Sequence, residues 1–190
     1  IKGERPVFGP YSGVYTENIR NSGGKAMERI KRNERLGVML STLSQTPNQI
    51  HTLGEFCEKL DAAKSTISED IDILRKALDK HGLGELSTIA GAAGGVRYRA
   101  TVGREQARAF LEELAHRLSD PGRLLPGGFL YTSDVTAHPA TARMLGRLLA
   151  QLYYDAAPQL VLTMETKGIP IALMTARALG VPLVLSLIHI

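Results

Sequence analysis

Apolar residues recur at three- and four-residue steps in three successive stretches from Met27 to Gly82, a spacing that predicts three helices in a row. In the first, Ile30, Val38, Leu40 and Leu43 are the expected inner positions, and the helix ends before Pro47. Thr52 is placed to cap a second, with Leu53, Phe56, Cys57 and Leu60 facing inward. Asp61-Ala62-Ala63 then makes a tight connection. A third helix over about 64–80 carries Ile67, Ile71, Leu74 and Leu78 on one stripe, and Gly82 stops it. Two β-compatible runs come next, Leu86 to Ala90 and Val96 to Ala100. Gly91-Ala92-Ala93-Gly94-Gly95 lies between them, which predicts a hairpin with a glycine-rich tip.

A different rhythm begins after residue 100. A fourth helix, from about Arg104 to Leu118, has Ala107, Phe110, Leu111, Leu114 and Leu118 on one face; Ser119-Asp120-Pro121-Gly122 ends it. It reads as a linker between two domains. Phe129 to Tyr131 is a short extended segment, and Pro139 to Tyr153 is helical. Leu160 to Met164 and Val181 to Leu185 have the continuous apolar character of buried strands, separated by a helix from Ile169 to Leu179. Strand, helix and strand in that order predict a parallel α/β sheet. Two strands are too few for such a sheet, so only the first part of that domain is expected. Residues 1–25 show no apolar period and are rich in Gly, Asn, Ser and Pro. The resulting plan is a disordered or foreign leader over 1–27, a first domain over 28–100, a linker over 101–124 and a partial second domain over 125–190.

Composition narrows the function. A single cysteine among 190 residues excludes an internal disulfide and fits a reducing cytoplasm. Cys57, among apolar neighbours, reads as a small buried hydrophobe. His51, His81, His116, His138 and His189 have no metal-ligand spacing. No apolar run is long enough to span a bilayer, and the start has no signal-peptide layout. The formal charge of +4 permits an anionic partner without requiring one. Lys25, Arg29, Lys31, Arg32 and Arg35 are clustered; alone, such a run is an ordinary solvated face.

The elements downstream of the basic run change its weight. Three helices and a hairpin, in that order, are the layout of a winged helix. In a helix-turn-helix the second helix of the motif lays its first turn in the major groove. Here that turn is Lys64-Ser65-Thr66, with Ser68 just beyond. Lys64 can meet a phosphate or a guanine edge, and Ser65, Thr66 and Ser68 can donate to phosphates or bases. Asp70 and Asp72 are expected to face away from DNA. At the hairpin, Gly91, Gly94 and Gly95 permit close backbone approach to phosphates. Arg97 and Arg99 share a strand face and can reach phosphate or the minor groove. Three helices alone fit a packing or protein-interaction module, and a hairpin alone means little. Together they point to double-stranded DNA.

The run Ala62-Ala63-Lys64-Ser65-Thr66-Ile67-Ser68-Glu69-Asp70 resembles the purine operon repressor family of Gram-positive bacteria. So do Gly91-Ala92-Ala93-Gly94-Gly95-Val96-Arg97-Tyr98, Leu125-Pro126-Gly127-Gly128 and Thr166-Lys167-Gly168-Ile169-Pro170. The likeness covers about residues 28–185 in order. It implies an α+β winged helix-turn-helix followed by a truncated α/β domain of the phosphoribosyltransferase type. It implies a homodimeric repressor of purine biosynthesis genes with no cofactor. Its effector would be phosphoribosyl pyrophosphate, which antagonises DNA binding, with guanosine tetraphosphate or pentaphosphate as competitors. By the same likeness Thr166, Lys167 and Gly168 belong to the loop that cradles pyrophosphate. A glycine-containing loop between a strand and a helix N-terminus is physically suited to an anion, although alone it is an ordinary turn. The family's main effector loop, two acidic residues and a small-residue run ending Gly-Gly-Thr, is absent up to Ile190, and Ser186 to Ile190 departs from the family. Impaired effector binding, and poor solubility from an exposed apolar edge at Val181–Leu185, are therefore expected. The competing reading is a purine-salvage phosphoribosyltransferase with an accessory N-terminal domain.

Overall fold

The computed structural model describes residues 30–91 and 94–186. The expected leader, Lys25, Arg29 and the last four residues lie outside them. The first lobe comprises α1 (Arg32–Gln45), β1 (Ile50–His51), α2 (Leu53–Leu60), α3 (Lys64–His81), β2 (Glu85–Ile89) and β3 (Gly95–Arg99). Its core is Met39, Leu43, Phe56, Leu60, Ile67, Ile71, Leu74, Leu78, Leu86, Val96 and Tyr98. Ile67, Ile71, Leu74 and Leu78 form the buried stripe that their spacing predicts. Thr52 caps α2 by accepting from the Glu55 amide at 3.2 Å.

The first helix departs from the expected pattern. It begins at Arg32, and its buried residues are Arg35, Met39 and Leu43. Ile30 precedes it, while Val38 and Leu40 are half-buried at the margins of the core. The three buried residues follow i, i+4 spacing, which places them on one stripe. Arg35 joins that stripe because Asp70, on α3, receives its Nε at 2.7 Å.

The sheet is antiparallel with order β1-β3-β2. Glu85 pairs with Arg99 at one end and Ile89 with Gly95 at the other. The strand β1 was not expected; two residues are too few for alternation to show. It pairs Ile50 with Arg97 and His51 with Val96, which makes β3 the central strand.

Helix α4 (Arg104–Leu118) has no fully buried residue, and Leu111 is exposed. A 3₁₀ turn at Pro121–Arg123 leads into a small hairpin of β4 (Leu124–Leu125) and β5 (Phe129–Leu130). Gly127 and Gly128 turn it at φ 87° and 80°, backbone that glycine alone adopts freely. Then come α5 (Ser133–Thr136), α6 (Pro139–Tyr153), β6 (Val161–Met164), α7 (Ile169–Leu179) and β7 (Leu183–Ser186). Strands β6 and β7 are parallel, in register from Val161↔Leu183 to Met164↔Ser186. Helices α6 and α7 pack closely because Gly146 has no side chain; a Cβ there would lie 2.5 Å from that of Met174. The two strands are not buried on both faces as their composition suggested. Leu162 and Met164 are 62% and 60% exposed, since among the described residues only alternate positions are covered on β6, and on β7 only Leu183 is partly covered.

The lobes meet along a polar seam. Arg147 donates from Nε to the Ala100 carbonyl at 2.9 Å and from Nη2 to that of Thr101 at 2.6 Å. Gln151 Oε1 accepts from the Val102 amide, and Asn48 Nδ2 donates to the Leu179 carbonyl, at 2.9 and 2.8 Å.

Candidate nucleic-acid interface

Helix α3 is held by its far side so that its first turn stays open. Asp70 is fully buried beneath the turn, bonded by Arg35, with Arg32 Nε 3.3 Å from its other oxygen. Arg32 Nη2 also reaches Glu69 at 3.0 Å. Further along, Arg75 donates to the Leu86 carbonyl and to Thr88 Oγ1, pinning α3 to β2. Asp61 connects α2 to α3 in the left-handed region at φ 44°, which a short polar side chain tolerates.

At the open end, the residue before the helix is Ala63, and no side chain caps the first turn. No acidic residue lies in that turn either. Uncapped amide donors and the positive end of the helix dipole therefore stand together. Lys64 and Ser65 are exposed there, with Thr66 and Ser68 half-buried beside them. A phosphate placed there meets donors and no carboxylate from that turn.

The hairpin is tightly built. Gly94 donates its amide to the Gly91 carbonyl at 3.0 Å, and Gly91 takes φ 115°. A Cβ on Gly94 would strike the Ile89 carbonyl, and one on Gly95 the His51 carbonyl. These two glycines thus close the turn and seat β1 against β3. That requirement is internal to the fold and accounts for both without any ligand.

Arg97 and Arg99 share a face of β3, as alternation requires, but not surroundings. Arg97, nearer the tip, is half-buried, and its Nε is buried without a hydrogen-bond partner. Arg99 is turned into the seam between lobes. Its guanidinium stacks 4.7 Å from the centre of the Tyr154 ring, with Asn48 Oδ1 3.4 Å from Nε and Asp155 3.7 Å from Nη1. Only 16% of its side chain is exposed, so it does not stand beside Arg97 on a free surface. Burial raises the Tyr154 and Tyr98 phenols above their ordinary range, with Arg99 opposing at Tyr154 and Arg147 at Tyr98.

Thr166, Lys167 and Gly168 form the exposed connection between β6 and α7. The Ile169 amide bonds back to the Thr166 carbonyl at 3.3 Å. No side chain caps α7, and no acidic residue occupies its first turn. The loop is thus an open helix N-terminus with one lysine. Among the described residues, no cluster of His, Cys, Asp and Glu could hold a metal, and no helix is long and apolar enough to cross a membrane. Cys57 is half-buried against the first core, close to the hydrophobe expected.

Sequence reasoning missed the residues that hold the candidate site in place. The Arg35–Asp70 pair is separated by 35 positions, and no local pattern links them. The basic run gave a misleading signal, since Arg35 is buried and Arg32 is paired. The only sequence hint of Asp70's role is a carboxylate one position before Ile71, on the edge of the apolar stripe.

Residues 31–100 match the family described as "Bacterial purine repressor, N-terminal". Over 157 residues the chain is 36% identical to the probable purine biosynthesis transcriptional regulator of Streptococcus pneumoniae, covering 83% of this chain and 57% of that one. It is 37% identical over 156 residues to the purine biosynthesis transcriptional activator of Lactococcus lactis, covering 82% and 58%. It is 36% identical over 157 residues to the purine biosynthesis transcriptional repressor of Bacillus subtilis, covering 83% and 55%. The chain therefore spans little more than half the length of these relatives. A shorter likeness, 38% over 77 residues, joins it to the xanthine phosphoribosyltransferase of Lactobacillus delbrueckii, covering 39% of this chain and 41% of the enzyme. The regulators share both lobes with the chain and the enzyme one part only, so the chain belongs to the purine operon repressor family.

Proposed function

We propose that this chain is the DNA-binding part, and the first portion of the effector part, of a repressor of purine biosynthesis genes. Residues 28–100 act as a winged helix and 101–124 as the link. Residues 125–190 begin a phosphoribosyltransferase-like domain that senses its ligand without turning it over. DNA is met by Lys64, Ser65, Thr66 and Ser68 in the major groove, and by Gly94 and Arg97 at the hairpin. Arg99 is left to the seam. The protein works in the cytoplasm as a homodimer. Phosphoribosyl pyrophosphate, bound at Thr166, Lys167 and Gly168, releases it from DNA, and guanosine tetraphosphate competes for that loop.

The observation that carries this reading is the open first turn of α3, uncapped, free of acid and presenting Lys64 and Ser65. The test is a gel shift on DNA from upstream of a purine biosynthesis operon across salt concentrations. Lys64→Ala should weaken binding and reduce the slope of log affinity against log salt by about 0.9, one phosphate contact's worth. An unchanged slope would overturn the assignment of α3. Because relatives include both a repressor and an activator, a reporter assay must show transcription rising when the gene is deleted.

The 77-residue likeness to xanthine phosphoribosyltransferases favours a second reading, catalysis. Pyrophosphate release from phosphoribosyl pyrophosphate and xanthine would establish it. We expect none, since a sensor needs the phosphate-binding loop but not a site that activates a base.

A further inference from the structure

We infer that the cleft between the lobes is a second anion site, separate from the Thr166–Gly168 loop, which takes a small ligand carrying two or more linked phosphates. The cleft holds about 400 Å³ and is bounded by the end of α1, the Tyr98–Ala100 end of β3, α6 and α7. That volume falls in the range of about 300–1,000 Å³ usual for small-molecule sites. Arg143, Arg147 and Arg177 all line it, and no acidic residue does. None of the three forms an ion pair among the described residues. Arg147 bonds two carbonyls, which orients it without neutralising its charge. Arg143 and Arg147 are four positions apart on α6, a like-charge spacing that is unfavourable unless an anion lies between. Guanidinium groups are suited to phosphate oxygens because they offer paired donors in a plane.

The position of the cleft argues for a small ligand over the DNA backbone. It lies at the Tyr98–Ala100 end of β3, about 13 Å along the strand from the glycine tip at 3.3 Å per residue. It is lined by Ser44, Gln45 and Pro47, at the end of α1 opposite the one that reaches Glu69 and Asp70 on α3. On α7 it takes Met174, Arg177 and Ala178, whereas the Thr166–Gly168 loop precedes the other end of that helix. Eight residues of helix separate Ile169 from Arg177, about 12 Å. A ligand in the cleft touches both lobes at once and therefore fixes their relative placement.

The experiment titrates the chain with inorganic pyrophosphate, ATP and adenosine, followed by calorimetry and amide NMR shifts. Pyrophosphate or ATP should bind and adenosine should not; the tighter of the two tells free diphosphate from a nucleotide. In the wild-type chain shifts should appear at Ser44, Ala100 and Ala178, apart from those that pyrophosphate causes at the Thr166–Gly168 loop, a readout that needs no substitution. Arg143→Gln with Arg177→Gln changes two exposed side chains, and it should weaken cleft binding about tenfold or more. Lys167→Ala should leave it within about twofold. Shifts confined to Thr166–Gly168, loss in Lys167→Ala only, or no binding at about 1 mM would overturn the proposal. So would a double variant that loses DNA affinity with no anion present, since the cleft would then be a contact to the DNA backbone.

Discussion

Asp70 and Asp72 sit two positions apart on α3 and live in different media. Asp72 is exposed and pairs with Arg75 on its own helix. Asp70 is fully buried, and Arg35 gives it Nε while giving Nη1 to the Ile30 carbonyl at 2.9 Å. Removing one member of a buried pair strands the other, at a cost of roughly 3–5 kcal/mol. Asp70→Asn should therefore lower the denaturation midpoint strongly. Asp70→Leu combined with Arg35→Met should cost much less, because no charge is stranded. Equal losses in the single and double variants would show that the pair does not organise α1 against α3. Asp134 makes the complementary, solvent-facing case. Arg123 grips its two oxygens at 2.8 and 3.0 Å, and this hydrogen bonding holds the carboxyl below the ordinary aspartate range. A depressed native pKa stabilises the fold above the unfolded value of about 3.9, and the contribution fades as pH falls through the native one. A carbon-detected titration should give Asp134 a midpoint below about 3.9; a midpoint at or above it would contradict the grip.

At the scale of elements, β1 depends on one missing side chain. Gly95→Ala would drive a Cβ into the His51 carbonyl. Backbone on both sides leaves no flexible group to yield, so overpacking of this kind should cost about 1–3 kcal/mol. Exchange of the Ile50 and His51 amides should quicken more than that of β2; equal protection would mean that the contact relaxes cheaply. Elements of this length divide what a sequence shows from what it hides. Helices α2 and α3 and the β2–β3 hairpin were legible because eight to eighteen residues of period, or a glycine turn between β-formers, leave a pattern. Strand β1 left none, and α1 was misread because a buried arginine breaks the apolar stripe. The candidate groove residues of α3 were legible as residue types at a helix start. Their openness was not, since an uncapped turn is a fact about what is absent around Ala63. Arg99 was placed on the correct strand face, but what covers that face comes from residues 154 and 155.

The whole molecule turns on the seam where that face is covered. Asn48, Arg99 and Arg147 reach across it from the two sides, toward the Leu179 carbonyl, the Tyr154 ring and the carbonyls of Ala100 and Thr101. Asn48 also donates its own amide to the Tyr98 carbonyl at 2.7 Å, so the same loop holds both β3 and the end of α7. A change that shifts α7 therefore has a direct mechanical route to β3, the central strand of the first lobe. If Arg99 serves the seam, its removal should be felt in stability and not in DNA affinity. Arg99→Ala gives up a cation–π contact of about 0.5–2 kcal/mol, which a denaturation curve will register. In the gel shift it should stay within about twofold of the parent, whereas Arg97→Ala, nearer the glycine tip, should weaken binding more and reduce its salt dependence. Equal losses for the two variants would return Arg99 to the DNA surface. The seam would then have to loosen when DNA binds, because only 16% of the Arg99 side chain is exposed while it stays closed.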